Sequence, residues 1–308
     1  DYGNLQNALS GYSYRSVGPA FMSGRIADIA IDSNNENVWY VAVGSGGVWK
    51  TKNAGTTWMP LTDNMPFYST GSITIDPNDS SRIWVGTGEN VAGRHVGIGH
   101  GIYLSKDSGS TWDDMGLNKS EHISKIIVHP DNSNIIWVAS QGPLWNSGGD
   151  RGLFMSTDGG NSWSNKLYVN EWTGVTDIII DPTNPDILYA ATWQRHRNVA
   201  SLIDGGPGTS IYKSIDGGNT WNEIDSGLPS SNMGKIGLAI SPMKPEVIYA
   251  AIELDRRSGA VFRSDNSGGV WKKMSNTVAG ATGPHYYQEL YASPVSYTHL
   301  TLPTTVSV

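Results

Sequence analysis

The sequence contains no cysteine. Disulfide staples and thiolate metal sites are therefore excluded, and the absence fits an oxidising, extracytoplasmic setting without demanding one. Charge is also sparse. Only 16% of residues are Asp, Glu, Lys or Arg, acids outnumber bases 28 to 21, and the formal net charge is -7. With no basic stripe, nucleic acid is not an expected partner. No apolar run reaches the roughly 20 residues a membrane-spanning helix requires, so membrane insertion is not expected. Histidine is scarce, at 7 residues. His95, His100, His122 and His196 lack the tight spacing of a metal motif, and neither a metal nor another cofactor is expected. No leader peptide is visible, and the chain opens on Asp1 rather than Met, so the expectation is a start that is missing or processed away.

Glycine, tryptophan and tyrosine are abundant, at 37, 12 and 14 residues, a composition suited to short strands and tight turns. The length allows one large all-β domain or two ordinary ones. A repeat decides between them. Ser156, Asp158, Gly160 and Trp163 form the pattern S-x-D-x-G-x-x-W. Ser105, Asp107, Gly109 and Trp112 repeat it, as do Ser214, Asp216, Gly218 and Trp221. Two worn copies use Asn: Thr51, Asn53, Gly55, Trp58, and Ser264, Asn266, Gly268, Trp271. The tryptophans recur about every 50 to 58 residues, the period of a propeller blade with loop insertions. Asp or Asn accepts hydrogen bonds from the backbone ahead of it, glycine supplies positive φ, and the indole buries a large ring. Asp107, Trp112, Asp158, Trp163, Asp216 and Trp221 are therefore expected to be structural.

Each repeat has one internal plan. A β-branched first strand, such as Ile178-Ile179-Ile180, precedes a Pro/Asn/Asp turn. A second strand carries Tyr40, Trp84, Trp137, Tyr189 or Tyr249, and a third carries Trp49, Tyr103, Phe154, Tyr212 or Phe262. The Asp-containing turn leads to a fourth strand. The expected fold class is all-β, a β-propeller of four-stranded blades, truncated after about five blades with a sixth opening at Tyr287 to Ala292. The expected organisation is a lead over 1–11, an incomplete propeller over 12–294, and a non-native tail over 295–308. That tail, beginning Val295-Ser296-Tyr297-Thr298-His299-Leu300, resembles a translated sequencing-library adapter. Tyr14 to Val17 is the candidate terminal strand that would complete a last blade. Open blade edges are an aggregation liability, so poor solubility is expected.

These turns resemble the Asp-box, or bacterial neuraminidase repeat. Residues 12–294 as a whole are similar to secreted bacterial propellers described as sortilin N-terminal-like or xyloglucanase-like. The resemblance rests on Tyr14-Arg15-Ser16-Val17-Gly18-Pro19, Gly46-Gly47-Val48-Trp49-Lys50-Thr51, the Asp turns, and Asp204-Gly205-Gly206-Pro207-Gly208. It implies the fold and a secreted, periplasmic or cell-surface location. It does not settle activity, because propellers of this kind include sialidases, xyloglucanases, sorting receptors and assembly factors.

Blade topology puts the second-to-third loops and the blade links on one face, away from the Asp turns. Elaborated loops on a rigid scaffold are where binding usually resides. The ligand-binding candidates there are Arg25, Arg94, His95, Trp145, Trp172, Trp193 and Arg195. The three tryptophans are neither on strand registers nor in Asp turns, and such rings suit stacking on sugar faces; the other reading is that they plug gaps between loops. Glycosidase chemistry needs two carboxyls, one held protonated, and the candidate catalytic acids are Glu89, Glu171, Asp177 and Glu253. Gly24-Arg25-Ile26 only faintly matches a sialidase arginine motif, which disfavours that activity. Two functions follow: a module binding a polysaccharide or a protein segment through the loop face, or a glycoside hydrolase resembling the xyloglucanases. An open groove with a carboxyl pair favours the enzyme. A face filled by its own loops, with acids tied to arginines, favours the binding module.

Overall fold

A computed structural model describes residues 25–255, 258–277 and 289–293. The strand expected at Tyr14 to Val17 and the adapter-like tail lie outside these residues. The described residues contain no helix. They form five antiparallel sheets, four in simple sequential order and the fifth with one strand off that order. Blade one is β1 (Ile26–Ile31), β2 (Trp39–Val43), β3 (Gly47–Thr51) and β4 (Met59–Pro60). Blade two is β5 (Thr70–Asp76), β6 (Asp79–Thr87), β7 (Ile102–Ser105) and β8 (Asp113–Asp114). Blade three is β9 (Ile123–His129), β10 (Asn132–Ser140), β11 (Gly152–Ser156) and β12 (Ser164–Leu167). Blade four is β13 (Thr173–Asp181), β14 (Asn184–Arg197), β15 (Leu202–Asp204), β16 (Ile211–Ser214) and β17 (Asn222–Glu223). Its order is β13-β14-β16-β17, with β15 paired to β14 off that path. Blade five is β18 (Ile236–Ser241), β19 (Lys244–Asp255), β20 (Ser258–Ser264) and β21 (Lys272–Thr277).

The first strands β1, β5, β9, β13 and β18 stand side by side in that order, which makes the sheets the blades of a β-propeller. Residues 289–293 are not strand, so the described part of the expected sixth unit forms no blade. Glu289 to Ala292 line a cavity of about 400 Å³ together with first-strand residues of blades three, four and five.

Alternation along the strands gives every blade two faces. Tyr40, Trp84, Trp137 and Tyr189 on the second strands point to the following blade. Ile73, Ile126, Ile178 and Leu238 on the first strands, all at most 3% exposed, point to the preceding one. Four apolar clusters result, one between each pair of neighbouring blades. Burying one such isoleucine contributes about 2 kcal/mol, so the inter-blade seams carry the fold.

The Asp turns rivet the outer side. In blade three Ser156 Oγ donates to Asp158 Oδ1 at 2.8 Å and accepts from Gly160 N at 2.8 Å. Asp158 also accepts from Ser162 N at 2.9 Å and Ser162 Oγ at 2.6 Å. Trp163 then donates from Nε1 to the carbonyl of Met115, in the preceding blade, at 2.7 Å. Gly160 has φ +90°, and a Cβ there would stand 2.6 Å from the Trp84 ring, so both conformation and space require glycine. The equivalent bonds recur around Asp107 and Asp216.

Candidate functional site

The loop face is built from blade links and long second-to-third loops, stitched to one another. Gly88 donates to Ser69, Gly99 to Glu121, Gly148 to Glu171 and Arg195 to Trp172, all backbone to backbone. A small apolar cluster of Ala92, Leu144 and Trp193, with Val96 and Leu202 packed on it, joins loops of blades two, three and four. Two buried guanidinium groups complete the layer. Arg151 donates to the carbonyls of Gln141 (2.6 Å), Pro143 (2.5 Å), Asn146 (3.2 Å), Gly148 (3.2 Å) and Trp172 (3.3 Å). Arg195 donates to Val91 O at 2.8 Å and Gly142 O at 3.0 Å. Burial lowers their pKa values to about 10 and about 9 respectively, so both stay charged at neutral pH.

The candidate residues fall into three groups. Arg94, His95 and Glu171 are exposed, and Arg94 donates to Val199 O at 3.3 Å. Trp145 is 37% exposed, and Trp172 is half-buried with its ring 4.1 Å from that of His196. Trp193, expected to present its ring, is 2% exposed and sits under the loops. The reason is local: β14 runs on to Arg197 and folds against β15, carrying Trp193 into the loop layer. Arg195 and Lys235 each stand over its ring, at 5.1 and 5.2 Å from the centroid. Arg195 likewise holds loops in place rather than reaching a ligand.

The acids divide as well. Glu89 is fully buried and receives both Nε and Nη2 of Arg25, the latter at 2.8 Å. That bidentate pair ties Glu89 to the first blade. His122 Nδ1 lies 2.9 Å from Glu89 O and, since a carbonyl only accepts, carries the proton. Asp177 links blades, accepting from Ile178 N at 2.9 Å and Leu238 N at 2.8 Å. Asp28 does the same for Ile29 and Ile73, at 2.9 and 3.0 Å. Lys125 stands between these two carboxylates, which hold its pKa up although burial works against its charge. Burial lifts Asp177 to about 6 all the same.

Glu253 has a different setting. Gly234 N donates to its carbonyl at 2.8 Å, and Gly206 N donates to Met233 O at 3.2 Å. These bonds bring Asp204, Lys235 and Glu253 to one place. A Cβ on Gly234 would lie 2.9 Å from Glu253 Oε2 and 3.0 Å from Asp204 O, so glycine is what lets the segments approach. Burial, then the charge of Asp204, pushes Glu253 up to about 7. Burial pushes Asp204 up to about 6 against the opposing pull of Arg195 and Lys235. Asp204 Oδ1 is buried and has no hydrogen-bond partner among the described residues. Lys235, lowered to about 7 by burial and by Arg195, donates to Asn90 O at 2.6 Å and Asn90 Oδ1 at 2.9 Å. Two carboxyls that titrate near neutrality beside a cation are equipped for proton transfer. Among the described residues no three or more His, Asp or Glu side chains are grouped as metal ligands.

No family model matches the chain. Curated proteins do. A xyloglucanase of a Paenibacillus species is 24% identical over 305 residues, covering 90% of this chain and 28% of that enzyme. A xyloglucanase of Hypocrea jecorina is 25% identical over 304 residues, covering 87% of this chain and 34% of that one. Among solved structures, an ancestral GH74 enzyme superposes with a TM-score of 0.64 at 23% identity, over 82% of this chain and 31% of that chain. The chain thus spans about a third of the length of the curated relatives it matches. The propeller resembles those of glycoside hydrolases.

Two loop-face features escaped sequence reasoning. Asp204 enters there only as part of a glycine-rich motif, and its place beside Glu253 depends on the β14–β15 hairpin. Tyr168, 58% exposed, joins Tyr68, 68% exposed, as a ring offered to solvent in a blade link. Both follow a fourth strand, and that position was the available clue.

Proposed function

We propose that this propeller is part of an extracytoplasmic, polysaccharide-directed glycoside hydrolase, with xyloglucan the first polymer to test. The observation that carries the reading is the Glu253–Asp204 pair on the loop face. Glu253, raised to about 7, is substantially protonated at neutral pH and suits a general acid, while Asp204, raised to about 6, is mostly ionised and suits its partner. The exposed rings of Tyr68, Tyr168 and Trp145, in blade links and a long loop, are suited to stacking on sugar faces. Similarity to xyloglucanases supports the substrate class. Glu89 and Asp177 take no part in the proposed chemistry, because each is committed to holding the blades.

The test is reducing-sugar release from xyloglucan and a panel of other glucans, with Glu253→Gln and Asp204→Asn beside the parent chain. We expect release from the parent and a loss of at least 100-fold in either variant. A second reading, a binding module, is favoured by one observation: Arg151, Arg195 and Trp193 fill the face that an open groove would leave free. Saturable binding of a polymer by a folded chain, with no release from any polymer, would establish that reading instead.

A further inference from the structure

The loop layer is organised on a hub. Glu89 to Ala92 open the long loop of blade two, and all four are at most 3% exposed. Each of the other described blades sends a side-chain donor to them. Arg25 of blade one grips the Glu89 carboxylate, and His122 of blade three donates to Glu89 O. Arg195 and Arg197 of blade four donate to Val91 O at 2.8 Å and Ala92 O at 3.1 Å. Lys235 of blade five takes the carbonyl between, donating to Asn90 O at 2.6 Å and to Asn90 Oδ1 at 2.9 Å. That side-chain oxygen also accepts from Gln141 Nε2, which donates in turn to Thr176 Oγ1 at 3.0 Å.

Arg25, His122 and Lys235 occupy one position, immediately before the first strands β1, β9 and β18. What sets Lys235 apart is the backbone around it. Lys235 O accepts from Glu253 N at 3.1 Å, and Gly234 N donates to Glu253 O at 2.8 Å. Met233 O accepts from Gly206 N, just past Asp204, at 3.2 Å. The segment 233–235 is therefore bonded to both acid-bearing stretches, and the buried Lys235 side chain ties that segment to the hub. Its acceptors on Asn90 are neutral, so they leave its charge uncancelled and its field reaches the acids nearby. Asp204 on β15 and Glu253 on β19 both feel that field. Arg195 and Arg197 on β14 add to it at Asp204, while Arg195, Asp177 on β13 and Glu289 also face the ammonium.

We propose that Lys235 is a positioning residue for the Glu253–Asp204 pair, fixing both acid-bearing segments to the Asn90 hub with a positive charge beside them. The role of the pair rests on the hydrolase reading; the anchoring does not. Three variants of the full 308-residue chain test it. Lys235→Met removes anchor and charge, Lys235→Arg keeps the charge, and Asn90→Ala keeps the ammonium but removes one acceptor. Circular dichroism establishes which of them fold, and Asn90→Ala decides if Lys235→Met does not.

The first readout needs no substrate: the carboxyl titrations followed by ¹³C NMR, with signals assigned from Glu253→Gln and Asp204→Asn. In Lys235→Met both acids should titrate about one pH unit higher than in the parent, and in Asn90→Ala they should move less in the same direction. Lys235→Arg should titrate at or below the parent. The second readout is sugar release from xyloglucan against pH. Lys235→Met should lower kcat about tenfold or more with KM within about threefold, and should displace both limbs of the profile upward. A merely structural residue would lower activity and leave the limbs in place. Unmoved titrations in the folded variants overturn the proposal, as does Lys235→Arg titrating like Lys235→Met. Displaced titrations in a chain whose parent releases no sugar would uphold the anchoring and remove the hydrolase reading.

Discussion

The two faces of the propeller use the same kind of group in opposite ways. On the turn face Asp107, Asp158 and Asp216 are fully exposed, and their hydrogen bonds to Thr111, Ser162 and Thr220 hold each at about 2. On the loop face Asp204 and Glu253 are pushed up to about 6 and about 7 by burial. Donors aimed at the carboxylate favour its charge; a desolvated site with too few donors disfavours it. The turn repeats because its chemistry is complete within eight residues. The loop face is assembled from four blades, and its electrostatics belong to no single segment.

The largest expected effect lies on the loop face. Arg151→Ala would leave five loop carbonyls without the donor that now gathers them, of which those of Gln141 and Pro143 are the closest. Stranded buried acceptors and a lost buried cation predict about 3 kcal/mol or more of destabilisation in urea unfolding. Arg151→Lys should recover only part of it, because an ammonium has three donors and no planar fork. Ser156→Ala, on the turn face, removes one hydroxyl with three bonds and should cost about 1 kcal/mol. Equal losses from Arg151→Ala and Ser156→Ala would mean that the loops are not a cooperative layer.

This contrast also explains how much was legible in advance. Blade plan, strand registers and turn chemistry follow from local pattern: Tyr40 and Tyr189 could be placed on equivalent positions from spacing alone. Which side of the scaffold carries each loop followed from topology. Burial of Trp193 and pairing of Asp204 with Glu253 did not, since both depend on how far β14 continues past Ala191 before it turns. Glu89 looked as available as Glu253 in sequence. What separates them is Arg25, 64 residues away along the chain.

A second, smaller effect is expected in the pH dependence of stability. For Asp204 and Glu253 the folded pKa lies above the unfolded one, so the folded chain holds more protons between about pH 4 and 7, and stability falls as pH rises through that window. Lys235 is lowered to about 7, so above neutrality the unfolded chain holds more protons and stability rises toward the unfolded pKa near 10.5. Together the cluster places a stability minimum near pH 7. Thermal unfolding of Asp204→Asn with Glu253→Gln should flatten the acid side of that minimum and leave the alkaline side. An unchanged profile would show that the pair ionises as it does in the unfolded chain.

The smallest effect belongs to the turn face. Two of the five turns already carry Asn in place of Asp, and they keep the bond that matters: Asn53 Oδ1 accepts from Thr57 N, and Asn266 Oδ1 from Val270 N, each at 2.9 Å. Asp158→Asn therefore preserves the backbone bond to Ser162 and gives up only charge assistance, so at pH 7 the change in stability should be small. Asp158→Ala loses all three bonds to the carboxylate and should destabilise the fold more than Asp158→Asn in urea unfolding. Acid separates them further. Asp158 is lowered in the folded state, so its stabilising contribution is present above the unfolded pKa near 3.8 and is lost as pH falls toward 2. The Asn variant has nothing to titrate there. Its stability should therefore converge with that of the parent as pH falls from 4 to 2, and a constant difference over that range would mean that the Asp158 charge contributes nothing to the turn.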